Sequence, residues 1–147
     1  MSEPLGYLIT DVSRLMRREF DARARQIGVT RPQWRALGLL KRYPGSHQGA
    51  LADMLEVEPI TIGRMIDRLE EAGLVERRRD PADRRAWRIH LTDAAQPLLG
   101  QLQVIGEALT EEALAGLEDH DRVSLHTMIE RIRTNLSTDD TKEAANG

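Results

Sequence analysis

Residues 59–91 read PITIGRMIDRLEEAGLVERRRDPADRRAWRIHL, and two hydrophobic periods meet inside this stretch. Pro59 suits the first turn of a helix, and Ile62, Met65, Ile66 and Leu69 then recur at three- and four-residue spacing, which marks one apolar helical stripe. Gly73 supplies the stop. Beyond it the period changes from helical to alternating. Trp87, Ile89 and Leu91 alternate with Arg88 and His90, as in a half-buried strand, and Leu74 to Arg79 can pair with them. Asp80-Pro81-Ala82-Asp83-Arg84-Arg85 forms the polar turn between the two strands. The reading is an amphipathic helix followed by a basic hairpin.

Upstream, Thr30-Arg31-Pro32-Gln33 has the form of a capping box, so a helix should start at Thr30 with Trp34, Leu37 and Leu40 on its core face. Pro44-Gly45 breaks it. Ser46 or His47 can cap a short helix presenting Leu51, Ala52 and Leu55, and a turn through Val57 and Glu58 leads into the helix at Pro59. A short helix, a tight turn and a second amphipathic helix make a helix-turn-helix. Before Gly28, the residues Leu8, Val12, Leu15, Met16 and Phe20 predict one buried stripe of a first helix. After the hairpin, Thr92-Asp93 can cap a long helix carrying Leu98, Leu102, Ile105 and Leu109, interrupted between Gly116 and Asp119. A last helix shows Val123, Leu125, Met128, Ile129, Ile132 and Leu136.

The expected fold is mainly α within the α+β class: a winged helix-turn-helix with a two-stranded β-wing and N- and C-terminal dimerisation helices. The expected domain is single, over residues 1–136, with a DNA-binding lobe over about 30–92, dimerisation helices over 5–28 and 93–136, and a disordered tail over 137–147. The outer helices carry apolar stripes that a core of this size cannot wholly cover, so a homodimer is expected. A two-fold dimer in turn demands a near-palindromic operator in double-stranded DNA.

Composition narrows the function. The 147 residues are 40% hydrophobic, 31% charged and only 3% aromatic, as in a helical chain with an aliphatic core. The net charge of -3 hides a segregation. Residues 1–92 hold 17 Lys and Arg against 13 Asp and Glu, net +4, whereas residues 93–147 hold 4 against 11, net -7. All basic residues but Lys41 and Lys142 are arginine, the better fork for phosphate and base edges. The absence of cysteine excludes a disulfide framework, a thiolate metal site and a thiol redox sensor. Met1-Ser2-Glu3-Pro4 lacks a basic signal region and no apolar run is long enough to span a bilayer, so a cytoplasmic protein without a membrane partner is expected.

Arg77, Arg78, Arg79, Arg84, Arg85 and Arg88 fall within twelve residues, against Asp80 and Asp83. Arginine inserted in a narrow minor groove meets an enhanced negative potential, and a hairpin with two arginines at its tip fits that groove. The helix from Pro59 suits the major groove, where Thr61, Gly63 and Arg64 are candidate base readers and Gly63 allows close backbone approach. Ile60 either meets a thymine methyl or packs on the preceding helix. Arg68 is a candidate phosphate contact, with intrahelical pairing to Asp67 or Glu71 as the alternative.

Gln33-Trp34, the run from Leu69 to Arg77, Asp80-Pro81-Ala82-Asp83-Arg84-Arg85 and Leu91-Thr92 together resemble the MarR family of bacterial and archaeal regulators, over roughly residues 5–136. The resemblance implies a triangular homodimer, a DNA-binding repressor, Asp83 bracing the wing and Arg85 entering the minor groove. It also implies release from DNA by an anionic or aromatic small-molecule effector, for which Tyr7 and Trp34 are candidate lining residues. The chain departs from the family pattern at Ala95, Glu58 and Ile60; an acid at Glu58 opposes phosphate and can instead select cytosine.

Three rivals remain. A metal-responsive regulator would need ligands from His47, His90, His120 and His126, which show no recognised zinc spacing. An enzyme has no visible machinery: there is no cysteine nucleophile, glycine-rich phosphate loop or paired carboxylates, and no cofactor is expected. A winged helix acting only as a protein-interaction module would not need Arg84 and Arg85 projecting together.

Overall fold

A computed structural model describes the backbone of residues 2–145 and the side chains of residues 2–137. The chain runs α1 (Leu5–Gln26), α2 (Arg31–Arg42), α3 (Gln48–Leu55), α4 (Pro59–Glu71), β1 (Val75–Arg79), β2 (Trp87–Leu91), a 3-10 turn (Asp93–Ala95), α5 (Gln96–Ala113) and α6 (Asp119–Ala145). It forms two compact units, Met1–Leu109 and Thr110–Gly147. α6 runs past residue 137, where a disordered tail was expected to begin; residues 146–147 lie outside the described residues.

Local chemistry sets the boundaries. Thr30 caps α2 reciprocally with Gln33: Gln33 N donates to Thr30 Oγ1 and Thr30 N donates to Gln33 Oε1 at 2.9 Å. Pro59 opens α4, where its missing N–H is one of the helix's unpaired donors anyway. Gly73, at φ +76°, ends α4, and Leu74 N folds back onto Leu69 O at 2.9 Å. The turn of the helix-turn-helix holds Glu56 at φ 55°, a left-handed conformation that costs a non-glycine residue roughly 1 kcal/mol or more.

β1 and β2 pair antiparallel, Val75 with Leu91 and Arg79 with Trp87 at the ends. One further bridge joins His47 to Arg88, so the loop before α3 lies against the hairpin edge. The core gathers Leu37 and Leu40 from α2, Leu51 from α3, Ile62, Ile66 and Leu69 from α4, and Ile89 from β2. Burying each such side chain contributes roughly 1.5–3 kcal/mol. These residues hold the helix-turn-helix and the wing as one lobe within the first unit.

The side-chain caps expected at Thr92 and before α3 do not form: Thr92 Oγ1 donates to Gly73 O at 2.5 Å. Neither Ser46 nor His47 caps α3 with its side chain: Ser46 Oγ donates to Tyr43 O at 2.6 Å, and His47 turns to Asp80. The apolar stripe of α1 is buried only in part: Met16 and Phe20 are half-buried, and Phe20 packs against the core. Val12 is 53% exposed, Leu8 and Leu15 are exposed too, and Ala24 is the residue of α1 that is fully buried. Periodicity identifies an apolar face without saying what covers it. α6 behaves alike, with Val123, Met128, Ile129 and Leu136 exposed.

In the second unit, Arg122 pins the turn between α5 and α6. It donates to both Glu111 carboxylate oxygens at 2.9 Å, to Leu117 O at 3.1 Å and to Leu114 O at 3.3 Å, while Gly116 takes φ +89°.

Candidate nucleic-acid interface

α4 buries Ile62, Ile66 and Leu69, and that stripe turns its other side outward. Ile60 is 67% exposed in the first turn, so the outward alternative describes its position. Thr61, Arg64 and Arg68 are also exposed. The side chains of Arg64 and Arg68 have no hydrogen-bond or ion-pair partner among the described residues. With Thr61, Met65 and Leu69 they border an open cleft of about 320 Å³, closed on the far side by Thr30, Pro32 and Gln33 of α2.

Gly63 sits one turn into α4, and an added Cβ there would lie 3.6 Å from Gln48 Nε2. The same neighbourhood holds Arg77. Its Nε donates to Gln48 Oε1 at 3.2 Å, its Nη2 to Gly63 O at 3.2 Å, and its Nη1 to Asp67 at 2.7 Å and Glu70 at 3.1 Å. Its backbone N–H also donates to Glu70 Oε2 at 3.1 Å. Only 17% of the side chain is exposed. One guanidinium therefore joins β1, α3 and α4. Arg77, expected among the DNA contacts, is engaged within the protein.

The other wing arginines divide sharply. Arg78 pairs with Glu76. Arg79 lies 4.6 Å over the Trp87 ring and donates from Nη1 to Arg84 O at 2.8 Å. Arg88 reaches Asp80 at 3.2 Å and Gly45 O at 3.1 Å. Only Arg84 and Arg85, at the hairpin tip, carry exposed side chains with no hydrogen-bond or ion-pair partner among the described residues. Asp83 accepts from Arg85 N at 3.0 Å through Oδ1, and its backbone carbonyl accepts from Ala86 N at 3.1 Å, so the carboxylate fixes the turn that carries both arginines.

The candidate effector residues stand apart in kind. Tyr7 is on the exposed face of α1. Trp34 packs tilted on Phe20, ring centroids 4.6 Å apart, and donates from Nε1 to Asp21 Oδ1 at 2.7 Å. It borders a cleft of about 290 Å³ with Arg35, Gly38, Leu39, Arg42, Met54 and Leu55. Among the described residues no cluster of three or more His, Cys, Asp or Glu could hold a metal ion, and no helix is long and apolar enough to cross a membrane.

Sequence reasoning missed two things here: the clamp around Arg77 and the burial of Asp80. Both depend on partners far along the chain, and arginine density alone treats all six arginines alike.

Comparison with known proteins agrees with this geometry. Residues 29–87 match the model of the MarR family. The chain is similar to the transcriptional regulator PA3341, with 32% identity and a TM-score of 0.76 over 91% of this chain and 98% of that one. A MarR transcriptional regulator from Methanosarcina mazei Go1 is 27% identical, with a TM-score of 0.78 over 89% and 94% of the two chains. A mutant MarR from E.coli complexed with operator DNA is 26% identical, with a TM-score of 0.69 over 88% and 93%.

Proposed function

Because this chain belongs to the MarR family of DNA-binding transcriptional regulators, we propose that it acts as a homodimeric repressor that a small-molecule effector releases from a near-palindromic operator. The observation that carries this reading is the pair of unengaged arginines at the wing tip, Arg84 and Arg85, on the lobe that also exposes the first turn of α4. The other four wing arginines are engaged within the protein, so among the described residues the wing's free positive charge lies at its tip, beside that of Arg64 and Arg68 on α4. The operator-bound E.coli relative supports the same partner.

In this reading α4 enters the major groove with Ile60, Thr61, Gly63 and Arg64 toward base edges, and Arg68 meets a phosphate. Arg84 and Arg85 enter the flanking minor groove, where the potential favours arginine, and Asp83 holds their turn. Arg77 is a positioning residue: it sets wing against recognition helix without touching DNA.

The exposed apolar faces of α1 and α6 support a second copy as their cover. Leaving Leu8, Ile9, Val12, Val123 and Ile129 in water forgoes roughly 25 cal/mol for each Å² that pairing would bury. A ligand that binds one spacing of the two recognition helices better than another shifts the dimer toward a state unable to span both half-sites. Footprinting on DNA upstream of the protein's own gene tests the reading. It should reveal two protected half-sites about 10 bp apart, or a multiple of it. An unprotected or single asymmetric footprint would overturn the dimeric operator model.

A further inference from the structure

Below the wing tip, one carboxylate gathers groups from three separate segments. Asp80 directly follows β1 and is only 5% exposed. Its Oδ1 accepts from Ala82 N at 2.8 Å; its Oδ2 meets His47 Nε2 at 2.5 Å and Arg88 Nε at 3.2 Å. Arg88 continues the chain of contacts to Gly45 O, and Ile89 N donates to Ser46 O at 2.9 Å. Asp80 N closes the wing loop onto Ala86 O at 3.1 Å. The Asp80 side chain thus adds a side-chain link to the backbone contacts that join the loop before α3 to the wing. His47 stands at the N-cap position of α3 yet makes no capping bond, because its ring is committed to Asp80.

We propose that Asp80 is a positioning residue for the wing, and that protonation of His47 tightens its hold and raises the affinity for DNA. The proposal rests on the DNA-binding reading above. A neutral imidazole donates from Nε2 to the ionised Asp80 carboxylate; an imidazolium keeps that hydrogen bond and adds the attraction of a full positive charge.

Charged and titratable groups from several elements face the contact between His47 and Asp80. The His47 hydrogen bond, then the Ala82 N–H, hold the Asp80 carboxyl below the ordinary carboxylate range, so it stays ionised throughout. On β2, Arg88 shares the Asp80 oxygen. His90, the other ring at this edge, lies against Gly45. Burial and then Arg78 push its pKa below the ordinary histidine value, with Glu76 opposing and Arg88 adding to the depression. On β1, Glu76 and Arg78 pair with one another. Gln48, the first residue of α3, brings no charge.

The test measures DNA affinity by fluorescence anisotropy on the full chain between about pH 5.5 and about pH 8, at constant ionic strength, for wild type and His47→Gln. Wild-type affinity should fall about fivefold as the pH rises, while His47→Gln stays flat. NMR of the free protein runs beside it. The His47 ring should titrate with the Ala82 and Arg85 amides following at the same midpoint, and Asp80→Asn should uncouple them. A wild-type pH profile in His47→Gln, or wing amides indifferent to the His47 titration, would overturn the proposal. Absence of DNA binding at every pH would sink the regulator reading instead, and the NMR titration would still decide the wing linkage.

Discussion

Arg77 Nη2 donates to the backbone carbonyl of Gly63 at 3.2 Å, so β1 grips the recognition helix near its exposed end. The same guanidinium holds Asp67, Glu70 and Gln48. Removing it frees α4 from the wing and leaves Asp67 and Glu70 without their shared cation. Arg77→Ala should therefore cost about 1–3 kcal/mol in denaturant unfolding and weaken operator binding. The slope of log affinity against log salt should stay unchanged, because Arg77 neutralises no phosphate. A slope reduced by about one charge would instead identify a direct phosphate contact.

Arg31 and Trp34 both donate to Asp21, joining the end of α1 to α2. Burial works to raise the Asp21 pKa, but the hydrogen bonds from Arg31 and Trp34 outweigh it and hold the carboxyl below its ordinary value. A depressed folded-state pKa contributes stability that is present above the unfolded value, about 3.9, and is lost as pH falls through the folded one. Acid titration of thermal stability should show this loss in wild type and a shallower one in Asp21→Asn. Equal acid limbs for the two proteins would refute the linkage.

Two glycines should respond in opposite directions. Gly45 has φ +72° and faces the His90 ring, whose Cε1 would lie 3.0 Å from an added Cβ. Gly45→Ala should destabilise by about 1–2 kcal/mol, from left-handed strain and the crowded ring. Gly38 lies inside α2, where an added Cβ meets nothing within 4 Å. Gly38→Ala should stabilise by about 0.5–1 kcal/mol through helix propensity, and calorimetry of both variants checks the contrast.

Val12 is 53% exposed on α1. Val12→Glu should leave the folded chain intact by circular dichroism and shift sedimentation from dimer to monomer. An unchanged dimer would remove α1 from the interface.

The local grammar of the fold was legible in the residues. Thr30 and Gln33 form the capping box their spacing implies, Pro59 opens α4, Gly73 closes it, and the alternation at Trp87, Ile89 and Leu91 marks β2. What escaped was non-local. Nothing in the sequence marks Arg77 as different from Arg85, because its partners lie 7 to 29 residues away. Asp80 reads as one of two acids diluting an arginine run, yet it is buried with His47, 33 residues earlier. His47 reads as a cap or a stray ligand for the same reason. The apolar stripe of α1 was located by its period, but how far the chain itself covers it was not, since periodicity is blind to the covering surface.

The central claim is that free charge at the wing tip reads DNA, and Arg85→Ala tests it most directly. Anisotropy with DNA from upstream of the protein's own gene, at several salt concentrations, should give tight, salt-dependent binding for wild type. For Arg85→Ala the account predicts a loss of about tenfold or more with a salt slope reduced by about one. Weak binding indifferent to sequence, identical in wild type and variant, would contradict it and leave a winged helix that serves only to bind another protein.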